Sequence, residues 1–136
     1  MLTPEQYEEH KTRAQAWRTW AEQYKQRNGW TVIPAGVEPP EGARISNEER
    51  SAIEVYEFVN NPPDRYFLYV NEAQRIATTW TGDKLGALFL GASWRDNFGG
   101  TRRSVTLHAI NGRTYHGTYF KSSGDYARVK LAKGAQ

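Results

Sequence analysis

The 136-residue chain is 38% hydrophobic, carries a formal net charge of +3 and contains no cysteine. That length suffices for one compact domain with a real core, and the missing thiols exclude a disulfide framework, a zinc–thiolate centre and a cysteine nucleophile. No segment approaches the roughly 20 apolar residues of a membrane span, and the opening "MLTPEQYEEHK" lacks the apolar run of a signal peptide, so a cytoplasmic protein without membrane contact is expected.

Taken in chain order, the first element is a helix. Thr3 is placed as its N-cap, Pro4 as the first helical residue, and Gln6 at the reciprocal position of a capping box. Gly29 supplies a left-handed stop after Asn28. Tyr7, Ala14, Trp17, Ala21 and Tyr24 fall on one stripe, which Trp20 widens, while Glu8, Lys11, Arg18, Glu22 and Lys25 take the opposite face. Such a stripe serves either the core or a homodimer through this N-terminal helix. The stretch "TVIPAGVEPPEGARI" is broken by Pro and Gly and predicts an irregular crossing, with a short strand at 30–33. A second helix follows, capped by Ser46 with Glu49 closing a capping box. Ala52, Val55, Tyr56 and Val59 form its apolar face, and Asn60–Pro63 end it.

From Asp64 the period shortens. "RYFLYV" (65–70), "RIATTW" (75–80) and "ALFL" (87–90) predict strands, separated by the turn-rich "TGDKLG" (81–86). "GASWRDNFGGT" (91–101) predicts a loop. "RRSVTLHAI", "RTYHGTYF" and "DYARVKLA" complete a set of five or six short strands. Asn111-Gly112 is the signal for a two-residue type I′ hairpin, and "KSSGD" (121–125) makes a longer turn. The expected fold is α+β: two N-terminal helices packed on a small, twisted antiparallel β-barrel of SH3-like or Sm-like shape. A helical segment (1–63) would precede the barrel (64–136) within one compact unit.

Charge is unevenly spread. Residues 1–60 hold 7 Lys/Arg and 10 Asp/Glu, whereas residues 61–136 hold 11 and 5. The basic half suits a polyanion; equally, it suits self-complementation with the acidic helices. A type I′ register pairs His108 with Tyr115, which puts Tyr115, Tyr119, Arg113, Arg128 and Lys130 on the outer face with His108. The loop adds Trp94, Arg95, Phe98, Arg102 and Arg103, and the other turn adds Trp80 and Lys84. Rings that stack bases and cations that follow phosphates are the means by which small barrels hold nucleic acid. Tyrosines are also good strand residues that pack a core.

"VTLHAINGRTYHGTYFKSSGDYARVKL" resembles the first motif of Sm-like RNA-binding barrels, matching at Val105, Leu107, Gly112, Arg113, Gly117, Asp125 and Leu131. The family's base-holding Asn is missing after Asp125, and its second motif does not follow. The resemblance therefore implies a small-barrel shape and not the family's ring or ligand. The segment from Ile76 onward is also similar to small proteins of phages and mobile elements, which implies interference with, or adaptation of, a host system.

No catalytic, metal or cofactor motif emerges. In the expected register His108 and His116 lie on opposite faces, and His10 sits on a helix among glutamates. Asp83, Asp96 and Asp125 each occupy a turn, where Asp commonly bonds its own backbone. The leading expectation is a non-enzymatic nucleic-acid-binding barrel. The rivals are a phage-encoded module that binds a host protein complex and inhibits a host defence or regulatory system, and a magnesium-dependent hydrolase using loop carboxylates.

Overall fold

In the computed structural model, residues 1–121 and 124–132 are described. Helix α1 spans Pro4–Asn28. The Thr3 hydroxyl accepts from the Gln6 amide at 3.2 Å and the Gln6 side chain accepts from the Thr3 amide at 3.0 Å. Gly29 ends the helix at φ +68°, as the sequence indicates. Residues 30–33 form no strand, contrary to expectation; the chain bends there towards a 3-10 turn at Glu41–Ala43. Helix α2 spans Asn47–Asn60, and its Ser46–Glu49 capping box is closed at 3.1 and 3.3 Å.

The chain divides into two compact units, Met1–Ile53 and Glu54–Gln136. In the first, the Glu49 carboxylate accepts from Arg13 and lies 2.7 Å from His10 Nδ1, and Arg50 stacks over Trp17 at 4.4 Å. Tyr7, Ala21 and Ala43 are buried, while Trp17, Trp20 and Tyr24 are half-buried.

The second unit is a closed antiparallel barrel of six strands: β1 (Arg65–Asn71), β2 (Ile76–Thr78), β3 (Lys84–Arg95), β4 (Thr101–Ala109), β5 (Thr114–Phe120) and β6 (Tyr126–Leu131). Each strand pairs with the next, and β1 pairs with β6 to close the ring. Closure removes most of the free strand edge that an open sheet would present. Leu68, Val70, Ala77, Leu85, Leu88, Val105, Leu107, Ala127 and Val129 point inward. The last two turns of α2 belong to this unit and cover one end of the barrel with Phe58, which is 1% exposed. Its ring lies 4.8 Å from Tyr66 and 6.1 Å from Tyr115. Phe58 is not on the expected apolar face of α2; Val55, which is, packs beside it at the edge of the core.

Two features of the sheet depart from the sequence expectation. The first is the β4–β5 hairpin. Gly112 alone takes positive φ (+85°), and Asn111 does not, so the turn is not type I′, which needs positive φ at both central residues. Ala109 N–H donates to Arg113 O and Gly112 N–H to Ala109 O, both at 3.0 Å, which makes a three-residue loop of Ile110–Gly112. Asn111 is engaged elsewhere: its amide donates to Phe58 O at 3.1 Å and to the Tyr115 hydroxyl at 3.2 Å. The longer loop moves the register by one residue, so His108 faces Thr114 and Leu107 faces Tyr115. A slip of one residue exchanges the two faces of a strand. Tyr115 and Tyr119, expected outside, are therefore fully buried, and His116 joins His108 on the exposed side.

The second is β3, which continues through "GASWR" where a loop is expected. A bulge between Leu90 and Ser93 absorbs the irregular composition. Gly91 sits in it, where a Cβ would meet Ser104 Oγ at 2.2 Å unless that hydroxyl turned away. Only 96–100 is turn. The expected turn at 121–125 includes Ser122 and Ser123, which lie outside the described residues.

Candidate functional site

Among the described residues, no Asp or Glu lies on any of the six strands. The barrel's carboxylates are confined to α2 and to the connections, where each cited below is occupied. Glu72 accepts from Lys121 at 3.1 Å and from Arg103 at 3.3 Å, and lies 3.3 Å from the Tyr119 hydroxyl. The Lys121 bond, above all, holds its carboxyl below the ordinary range. Asp125 accepts from the Tyr119 hydroxyl at 2.7 Å. Burial and that partner push the Tyr119 phenol well above its ordinary value. Tyr66, whose hydroxyl donates to Glu54, is pushed up in the same way by burial and then by that carboxylate.

Asp96 organises the β3–β4 turn. Its carboxylate accepts from the Phe98 amide at 2.8 Å, the Gly100 amide at 2.9 Å and Arg102 Nε at 3.0 Å. The two amide bonds, foremost that from Gly100, hold it below its ordinary value of 3.8. A carboxyl so lowered stabilises the folded turn at every pH above the ordinary value and loses that contribution as pH falls through its lowered one. The Phe98 and Gly100 amide resonances should therefore move together on acidification below about pH 4. Asp96→Asn should abolish the titration in the same NMR series.

The outer face of β4, β5, β6 and β1 forms a regular grid. The register sets three rows across the four strands: Arg102, Phe120, Tyr126 and Tyr69; then Ser104, Thr118, Arg128 and Phe67; then Thr106, His116, Lys130 and Arg65. The first row is aromatic. Phe120 and Tyr126 stack at 4.9 Å, and Tyr126 stacks on Phe67 of the second row at 5.0 Å. Arg102 caps the far side of Phe120 at 4.6 Å. Cations gather in the third row, at Arg65 and Lys130, and beside it at Arg128 of the second. Among the described residues Arg65, Arg128 and Lys130 have no ion-pair partner, and His116 Nδ1 lies 3.0 Å from the Thr106 hydroxyl. Between the rows is a hollow of about 550 Å³, lined by Arg65, Phe67, His116, Thr118, Arg128 and Lys130 together with the inward-facing Tyr66, Gly117 and Val129. It lies at Gly117, where a Cβ would fall 1.9 Å from the Arg128 carbonyl oxygen. Only glycine lets β5 approach β6 so closely there.

The residues expected to form the site divide accordingly. Arg128 and Lys130 lie on this grid as expected. Arg102 does too, and Trp94, 45% exposed, stands opposite it on β3. Arg103 does not: strand alternation turns it the other way, to Glu72 and the Gly91 carbonyl. Arg95 ends β3 on a strand, not a loop. Arg113 is a brace, donating to Pro62 O at 3.2 Å and Asp64 Oδ1 at 3.1 Å. Tyr115 donates to Pro63 O at 2.6 Å from inside the barrel. Lys84 stands at the other end of β3, ten residues or roughly 30 Å of strand from Trp94, and Trp80 precedes it outside the strand. Arg65, Phe67, His116, Phe120 and Tyr126 are absent from the expected site. The alternation of "RYFLYV" already sets Arg65 and Phe67 on one face; what sequence lacks is the β1–β6 pairing that puts that face beside Arg128.

Among the described residues no three His, Asp or Glu side chains converge on a possible metal position, and Asp83 sits at the opposite end of the barrel from Asp96 and Asp125. No described helix is long and apolar enough to cross a membrane. The second unit is thus a closed six-stranded barrel with a carboxylate-free sheet, cationic on one part of its outer face and aromatic on the adjoining part. No family model matches the chain, and no curated protein or solved structure matches it either.

Proposed function

We propose that the barrel binds nucleic acid through the outer face of β4, β5, β6 and β1. The observation that carries this reading is the charge pattern: Arg65, Arg128 and Lys130 share one concave patch with no carboxylate on any strand to neutralise them. Cations so arranged offer charge to successive phosphates, and the counterions those phosphates release on binding supply the affinity. The Thr118 hydroxyl and the His116 ring add hydrogen-bonding groups suited to phosphate oxygens. No enzymatic step belongs to this reading.

Fluorescence anisotropy with a labelled single-stranded oligonucleotide across a salt series tests it. Affinity should fall steeply as salt rises. Replacing Arg65, Arg128 and Lys130 together by Ala should flatten the log–log slope by about 2, at roughly 0.7 for each phosphate no longer neutralised. A slope that does not change in the triple variant would remove the proposal.

One feature favours a second reading, a module that binds a host protein. Phe98 is 95% exposed at the tip of the β3–β4 turn, on a backbone fixed by Asp96. An aromatic residue held rigidly in the open is a suitable interface anchor. Salt-insensitive capture of a protein, abolished in Phe98→Ala, would select it.

A further inference from the structure

We infer that the site takes an unpaired nucleotide, its phosphate among the cations and its base against Phe67, so that the ligand is single-stranded. This rests on the nucleic-acid reading above and adds what part of the molecule is recognised. The geometry is that of two unlike halves meeting at one ring. Arg65 and Phe67 are alternate residues on the same face of β1, about 6–7 Å apart along the strand, which is the reach from a phosphate across its sugar to its own base. Arg128 lies directly across from Phe67 and Lys130 directly across from Arg65.

The aromatic half is a closed stack apart from its end. Tyr126 has Phe120 on one side and Phe67 on the other, and Phe120 has Arg102 beyond it. Phe67 ends that stack, has Tyr69 edge-on at 5.4 Å, and remains 46% exposed where it borders the hollow. A flat π-system arriving on the exposed part of that ring extends an existing stack. The hollow, at about 550 Å³, is of the size that holds a small ligand. Bases inside a duplex have both faces covered and cannot stack on this ring, whereas an unpaired base can. A site that read phosphates alone would gain nothing from the ring.

Three labelled probes of equal length separate the possibilities: oligothymidine, the same backbone made abasic, and a duplex. The thymidine strand should bind at least about ten-fold tighter than the abasic strand, the difference expected from one stacked base. Phe67→Ala should remove that advantage while leaving affinity for the abasic strand within about two-fold. Phe67→Trp, which keeps a ring, should restore it and guards against a folding defect. If the abasic strand or the duplex binds as tightly as oligothymidine, and Phe67→Ala changes nothing, the inference is overturned while phosphate binding stands. If none of the three binds, both readings fall.

Discussion

Tyr115→Ala should destabilise the barrel by about 3–5 kcal/mol, the range for truncating a buried aromatic side chain. The ring is fully buried, faces Leu107 and Leu131 across its two neighbouring strands, and packs near Phe58. Its hydroxyl ties the Pro63 carbonyl to the Asn111 amide. Tyr115→Phe isolates that second role: the ring remains, but a carbonyl and an amide are left without their partner, at a cost of about 1–3 kcal/mol. Urea unfolding of the two variants measures both. A change within about 0.5 kcal/mol for Tyr115→Ala, the level of an exposed position, would mean that the hairpin has the two-residue register and that the barrel's inside and outside on β5 are exchanged.

Gly117→Ala should be nearly as damaging, by about 3 kcal/mol, at the upper end for overpacking a filled site. The new methyl would be driven against the backbone of β6, 1.9 Å from the Arg128 carbonyl and 2.7 Å from Val129 Cα. Backbone cannot rotate out of the way as a flexible side chain can. Because the hollow lies at the same residue, the variant should also weaken oligonucleotide binding under conditions where it remains folded. Thermal melts paired with anisotropy measure the two effects. An unchanged melting temperature would show that β5 and β6 can separate there, and that the hollow does not depend on their close approach.

Much of the architecture is legible in the sequence because local chemistry and tertiary structure agree. Thr3, Gln6, Ser46 and Glu49 form the caps their spacing predicts. The helices are followed by an antiparallel barrel, and β6 points Arg128 and Lys130 outward as its alternation requires. The failures share a physical cause. Asn111-Gly112 is compatible with two- and three-residue loops, and the choice between them falls to Phe58 and Tyr115, which engage the Asn111 amide; Phe58 is distant in sequence. That one added loop residue carries Tyr115 and Tyr119 from the expected site into the core. "GASWR" has loop composition, yet β4 supplies a partner that makes it a bulged strand. Alternation then separates Arg102 from Arg103, placing one on Phe120 and the other on Glu72. The site itself is half visible: a basic, ring-bearing sheet is anticipated, but its rows come from closure between β1 and β6, a pairing of strands some 60 residues apart that no local pattern encodes.

The carboxylate-free sheet has a consequence for the barrel in the absence of any ligand. Neighbouring like charges on β1 and β6 have nothing of opposite sign on those strands to offset them, so their mutual repulsion is left to screening by water and salt. A bound polymer of negative charge would take over that screening, which is why its grip should weaken as salt rises.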